Sequence, residues 1–349
     1  MVSRHSTRLL GLVLFVVSAA ASGHAATNDP TNRPIGLAQR SFEDPQRLSW
    51  PGTAPRPVRV TLWYPAAVGG TAVEVEDNHD RLTVHRDAPV AARQERYPLV
   101  LLSPGSGGEA AYMFWLGRAL AARQMIVAAV DHNGSEAEEL GLRRPTPTDF
   151  FAWERAADLS VALDRLLGDA EWSDWIDPEC IGAAGFSLGG TTALWTAGAR
   201  LDLEALRAGS PPPPPAIAAA IENLVALSQT HPVARASVDR APDSYRDERV
   251  RAVFALAPPM GAGFTPAGLA DVTVPVCIVV GDADVIAPAA GNAQHFAALL
   301  RDVRLHVLPG ERGHYIKPLP ADQQRSEMRE VAKLAADFFE QTLQPEARR

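Results

Sequence analysis

Cysteine is nearly absent from this chain. Two residues in 349, Cys180 and Cys277, cannot build a disulfide scaffold or a four-thiolate zinc site. Basic runs are missing as well. The 33 Lys and Arg are scattered among 41 Asp and Glu, for a formal net charge of −8, so the electrostatic footprint of a nucleic-acid binder is lacking. There is no H-E-x-x-H motif and no Cys/His cluster, and no metal or other cofactor is expected. No internal repeat is visible. Nothing approaches the roughly 20 apolar residues that a membrane helix needs. The N-terminal run Leu9 to Ala21 holds only 13. What is present is ordinary for a globular protein with a sizeable core, with 46% apolar and 21% charged residues.

That short apolar run has its own meaning. Arg4 and Arg8 precede it, and small residues follow, with Gly23 and Ala25 at the positions a signal peptidase reads before a cut after Ala25. The pattern predicts a signal peptide over residues 1–25, an exported chain, and no stable membrane anchor once it is removed. Loss of Arg4 and Arg8, with no acid, takes the net charge from −8 to −10. The folded domain is then expected over residues 26–349.

Hydrophobic periodicity alternates between two and three-to-four residues along the rest. Val58–Tyr64 alternates and reads as a strand; residues 65–96 read as polar and irregular. Leu99–Leu102, Met125–Val130, Cys180–Phe186, Val250–Leu256, Val276–Val280 and Val303–Leu308 are short apolar runs suited to buried strands. Helical spacing appears around Met113–Leu120, over about 149–167, and at Leu188–Ala199, Ala289–Leu300 and Asp322–Leu343. Repeated strand–helix–strand units argue for an α/β fold, one mostly parallel sheet with helices on both faces. Residues 201–247 break the rhythm. They hold the run Pro211–Pro215 and a helical stretch, Ala216–Leu227, with Ile217, Ile221, Leu224 and Leu227 on one face. The segment is expected to be an insertion that caps the site, and the apolar face of its helix suits either an acyl chain or simply the core.

The chemistry gathers at strand ends. Gly185-Phe186-Ser187-Leu188-Gly189-Gly190 matches G-x-S-x-G between an apolar strand and a helix. A serine there sits on a turn sharp enough to project its hydroxyl, and the flanking glycines leave room for that turn. A serine needs a base, and the base needs an acid to orient it. Among nine histidines, His314 lies in a loop after the last strand and follows in the order Ser…Asp…His, while His132, at an earlier strand end, can also line the site. Asp282 and Asp284 both follow the strand Val276–Gly281, and either serves as the acid on chain order alone. Oxyanion donors are expected from the N–H of Leu188 and, in the turn Ser103–Gly108, the N–H of Ser106.

These residues resemble the α/β-hydrolase superfamily, within it the bacterial dienelactone-hydrolase-like or platelet-activating-factor acetylhydrolase-like group. The resemblance rests on VRVTLWYP (58–65), LLSPGSGG (101–108), AAVDHNGS (128–135), GFSLGG (185–190), RVRAVFALAP (249–258), PVCIVVGDADVIAP (275–288) and GERGHY (310–315). It implies the α/β-hydrolase fold, a small-molecule ester as substrate, Ser187 as nucleophile, Asp284 as acid and His314 as base. Two departures matter. The oxyanion turn commonly reads Ser-His-Gly, and Pro104 replaces the histidine here, leaving only backbone donors. Dienelactone hydrolases use cysteine where this chain has Ser187, which favours ordinary carboxylic esters.

Two other classes compete. Gly105-Ser106-Gly107-Gly108-Glu109-Ala110 satisfies G-x-G-x-x-A, with Asp131 ending the next strand, as in a NAD-type dinucleotide-binding oxidoreductase. Glu109 beside a pyrophosphate and an earlier strand ahead of the motif argue against it. A non-catalytic binding protein on the same fold would have no use for serine, acid and histidine in order.

Overall fold

The structure, a computed structural model, describes residues 34–49, 52–77, 80–134, 151–209, 215–310, 312–314 and 321–343. The predicted signal segment and most of the proline run lie outside them.

Among the described residues ten strands form one sheet: β1 (Ile35–Leu48), β2 (Pro55–Pro65), β3 (Thr71–Asp77), β4 (Asp80–Arg86), β5 (Tyr97–Ser103), β6 (Ile126–His132), β7 (Ile176–Phe186), β8 (Val250–Leu256), β9 (Val276–Gly281) and β10 (Val303–Leu308). Their order is β10-β9-β8-β7-β5-β6-β2-β1-β4-β3. From β10 to β6 every pairing is parallel. β2 then runs antiparallel to β6, β1 antiparallel to β2, and the β3–β4 hairpin closes that edge.

The central strands are apolar throughout because both faces are covered. Leu99 and Leu101 of β5 face one core, and Val100 and Leu102 face the other. The first core is sealed by α2 (Glu154–Gly168) and α3 (Leu188–Thr196), whose Leu159, Leu163 and Leu194 are fully buried. The second is sealed by α1 (Phe114–Ala122) and by the last helix, Ala321–Leu343, through Leu120, Val331 and Phe339. Each fully buried side chain of this size contributes about 1.5–3 kcal/mol relative to exposure.

Residues 65–96 are not irregular, since they contain β3 and β4, and His85 lies on a strand. The hairpin hides its pattern because only one face is covered. Val73 pairs with Val84 and both are buried, while Glu74 and Thr83 face outward and hydrogen-bond to each other at 2.5 Å. The long strand β1 carries no clear periodicity in its sequence. Its sequence IGLAQRSFEDPQRL is mostly polar, and past Ala38 most of its residues are exposed or half-buried.

The insertion between α3 and β8 folds as α4 (Leu203–Ala208), α5 (Pro215–Thr230) and α6 (Pro232–Asp239). The side chains of Ile217, Ile221 and Leu224 lie outside the described residues; Leu227 packs on the first core. α6 docks on the start of α2, where the Trp153 indole donates to Ser237 O at 3.0 Å and Ser237 Oγ donates to Glu154 at 2.8 Å.

Cys180 on β7 and Cys277 on β9 are buried and form no disulfide, with β8 between them. Two strand spacings are about 9–10 Å, beyond the reach of a disulfide. Burial pushes the Cys277 thiol up to about 12, so it is inert. Thiol titration of denatured, unreduced protein should find two free thiols; finding none would contradict this strand order.

Candidate active site

Ser187 stands at the turn from β7 into α3, with φ 52° and ψ −124°, a strained conformation for a residue with a side chain. The turn is held by Ser187 N–H donating to Leu256 O at 2.8 Å. It can form only because its flanks are glycine. A Cβ on Gly185 would lie 2.1 Å from Gly189 O, and one on Gly189 would lie 2.0 Å from Ser103 O. Those contacts also press the elbow against the turn after β5. Gly105 there faces Ser187, its missing Cβ 3.5 Å from the serine Cβ.

His314 arrives from the loop after β10. Its Nε2 lies 2.9 Å from Ser187 Oγ and its Nδ1 lies 2.6 Å from Asp284 Oδ2. Phe186 supports the imidazole, with ring centroids 5.0 Å apart. Ser187, Asp284 and His314 are all buried. The other oxygen of Asp284 accepts the N–H groups of Ile286 and Ala287 at 2.9 and 2.8 Å. Burial alone would raise this carboxyl, but the bond from His314 and the two backbone N–H groups outweigh it and hold it below the usual carboxylate range. An ionised Asp284 accepts only, so His314 carries its proton on Nδ1 and turns a free lone pair on Nε2 toward the serine.

The structure thus brings Ser187, Asp284 and His314 together and separates the alternatives. Asp282 staples the histidine loop instead, accepting the N–H groups of Gly310 at 3.0 Å and Arg312 at 2.9 Å. His132 does not meet Ser187. It is buried behind the turn after β5, bonded to Ser103 and Asp158 at 2.9 Å each. Leu188 is the first residue of α3, where an N–H has no partner within its own helix. Ser106 follows Gly105 in the adjoining turn, which closes with Gly108 N–H donating to Gly105 O at 3.1 Å, and Gly107 takes the φ of 66° this turn requires.

The same turn argues against dinucleotide binding. The glycine run leads into a short 3-10 turn, Ala110–Met113, rather than directly into an α-helix. Asp131, placed where a ribose-binding acid would sit, instead accepts the N–H of Ala110 at 2.6 Å. Among the described residues no three His, Cys, Asp or Glu converge as a metal site.

One group of residues gave no signal in the sequence. Arg155 and Asp158, three apart on α2, look like an exposed helix pair but are 2% and 0% exposed. Asp158 accepts from Arg56 at 2.7 and 2.8 Å and from Arg47 at 2.7 Å. Burial would raise its pKa, but these two arginines hold the carboxyl well below the usual range. Burial, with Arg155 beside the ring, pushes His132 down to about 3. An unfolded histidine titrates near 6.5, so below that pH the unfolded chain takes up a proton that folded His132 refuses. The stability from this site is complete above about 6.5 and declines as pH falls, by up to about 1.4 kcal/mol per pH unit. The melting temperature should therefore drop between pH 7 and pH 5, and less steeply in His132→Asn. An equal slope in the variant would mean that folded His132 does accept a proton.

Comparison with known proteins fits this arrangement. No family model matches the chain. Cutinase est1 of Thermobifida alba is 33% identical over 111 residues, which is 31% of this chain and 33% of that protein. Cutinase 2 of Thermobifida cellulosilytica is 32% identical over 111 residues, 31% of this chain and 37% of that protein. The chain thus spans about a third of the length of the curated relatives it matches. Among solved structures, the ferulic acid esterase from Streptomyces cinnamoneus superposes over 95% of both chains, with a TM-score of 0.59 and 20% identity. The chain has the α/β-hydrolase fold. Within that fold, Ser187, Asp284 and His314 stand where the ends of β7, β9 and β10 converge.

Proposed function

We propose that this chain is a serine hydrolase that cleaves carboxylic esters through an acyl-enzyme intermediate. The observation that carries the reading is the hydrogen-bonded row Ser187–His314–Asp284 on a strained elbow. As His314 Nε2 takes the hydroxyl proton, Ser187 Oγ attacks the ester carbonyl carbon. The resulting imidazolium is stabilised by the Asp284 carboxylate, while the N–H groups of Leu188 and Ser106 receive the negative oxygen. The carbon–oxygen bond to the alcohol breaks as His314 returns its proton to the leaving oxygen. Water then repeats the sequence on the acyl-enzyme and releases the acid.

The similarity to proteins named cutinase and ferulic acid esterase supports an ester substrate. The serine nucleophile supports ordinary esters over dienelactones, within the dienelactone-hydrolase-like or acetylhydrolase-like group that the sequence resembles. Export is supported by the sequence of residues 1–25, and no described helix is long and apolar enough to cross a membrane. Purified protein should hydrolyse p-nitrophenyl butyrate in the presence of EDTA and without added cofactor. Absence of turnover on acetate, butyrate and octanoate esters alike would count against the reading.

Residues 201–247 fit a cap in this scheme. Pro232, Val233 and Ala236 of α6 line a cavity of about 330 Å³ together with Phe151 and Arg155, the latter bonded to the oxyanion turn. Ala236→Leu narrows that cavity and should lower the ratio of octanoate to butyrate turnover with little change in melting temperature. An unchanged ratio would make the cavity unrelated to the acyl chain.

A further inference from the structure

Beneath the oxyanion turn lies a second Ser–His–Asp row that the proposed mechanism does not use. Ser103, His132 and Asp158 are at most 1% exposed. The direction of every bond in this row follows from Asp158. Its carboxylate takes Nε and Nη2 of Arg56, Nη2 of Arg47 and Nδ1 of His132. An anion accepts only, so His132 carries its proton on Nδ1 and its Nε2 lone pair accepts the hydroxyl of Ser103, 2.9 Å away. The Ser103 oxygen in turn receives Arg155 Nη2 at 3.3 Å. The same guanidinium nitrogen donates to Pro104 O, and to Gly105 O at 3.4 Å.

This row is not a second catalytic centre. No substrate reaches a fully buried Ser103, and an imidazole that stays neutral down to about pH 3 does not shuttle a proton at working pH. Its output is mechanical. In a trans peptide the carbonyl of one residue and the N–H of the next point in opposite directions. With Gly105 O turned toward Arg155, the N–H of Ser106 is turned away from it. Gly105 itself lies against Ser187, so the peptide that bears this N–H borders the nucleophile.

We propose that His132 is a positioning residue which, through Ser103 and together with Arg155, clamps the Ser103–Gly105 backbone so that the Ser106 N–H is fixed for the developing oxyanion. The clamp rests on the ester-hydrolase reading. It acts on the transition state and not on substrate affinity, because a preorganised donor aimed at forming charge lowers the barrier without tightening ground-state binding.

Two variants test it. Ser103→Ala removes one oxygen. His132→Asn places an amide N–H near the former Nδ1, keeping the bond to Asp158 while removing the acceptor for Ser103. In both, kcat for p-nitrophenyl butyrate should fall ten-fold or more with KM within two-fold. Inhibition by an alkyl boronic acid, which forms a tetrahedral adduct on the serine, should weaken by a similar factor. Amide hydrogen exchange across 103–108 should speed up ten-fold, with the helix Ala321–Leu343 exchanging as in the parent protein. Unchanged kcat in both folded variants, or a rise in KM with kcat intact, would overturn the clamp. A parent protein without turnover whose exchange still responds would instead overturn the ester reading, and the oxyanion role with it.

Discussion

Ser187→Ala is expected to lose at least about three orders of magnitude of turnover while remaining folded, and His314→Ala is expected to lose as much. Three orders correspond to about 4 kcal/mol of barrier. Both losses have one cause. A serine hydroxyl is a weak nucleophile until its proton can leave as the carbon–oxygen bond forms, and the described acceptor facing Ser187 Oγ is His314 Nε2 at 2.9 Å. The two substitutions break one device, so the double variant should be scarcely worse than either single one. His132 offers no substitute, since its Nε2 is committed to Ser103 and its pKa lies near 3. Substantial activity in a folded His314→Ala would require a different base and would remove the foundation of the mechanism.

Asp284→Asn should cost nearly as much, and Asp282→Asn far less. Asp284 accepts the Nδ1 proton of His314 at 2.6 Å, which fixes the tautomer with the Nε2 lone pair toward the serine, and in the proposed mechanism its negative charge stabilises the imidazolium. An amide in its place can turn an N–H toward Nδ1, favouring the tautomer in which Nε2 is protonated and unable to act as base. A loss on the order of 10³ to 10⁴ in kcat follows. Among the described residues Asp282 bonds to the backbone N–H groups of Gly310 and Arg312. The amide oxygen of an asparagine there still accepts one of them, so the histidine loop loosens without losing its chemistry, and a drop within about ten-fold is expected. Measured kcat on one ester for the two variants decides between them. The opposite ranking would move the orienting acid to Asp282 and leave the observed Asp284–His314 bond without a catalytic purpose.

The readable parts of this protein were those where one residue type has one physical use. The strands β5 to β9 are legible because a strand buried on both faces must be a continuous apolar run, and Val250–Leu256 begins and ends where the sequence predicts. The elbow is legible because two glycines and a serine at that spacing, after a strand, suit few other purposes. Chain order and the resemblance selected Asp284 and His314, and the structure joins them to Ser187. The hidden parts are polar residues whose partners are remote in the chain. Asp158 is spaced from Arg155 like a surface ion pair, yet its partners Arg47 and Arg56 lie on β1 and β2, more than 100 residues away. On chain order alone Asp282 and Asp284 are indistinguishable. They part only because side chains two apart face different groups, one the loop backbone and one the imidazole. The helix Ala293–Leu299 starts four residues later than its periodicity suggests, because Pro288 and Gly291 interrupt the first turn.

The central claim is that Ser187 is an activated nucleophile. Intact protein treated with a fluorophosphonate should gain one covalent label. Peptide mapping should find it on Ser187, and labelling should fall to background in Ser187→Ala and slow by orders of magnitude in His314→Ala. A folded protein that stays unlabelled, or carries its label on any other residue, would contradict the account.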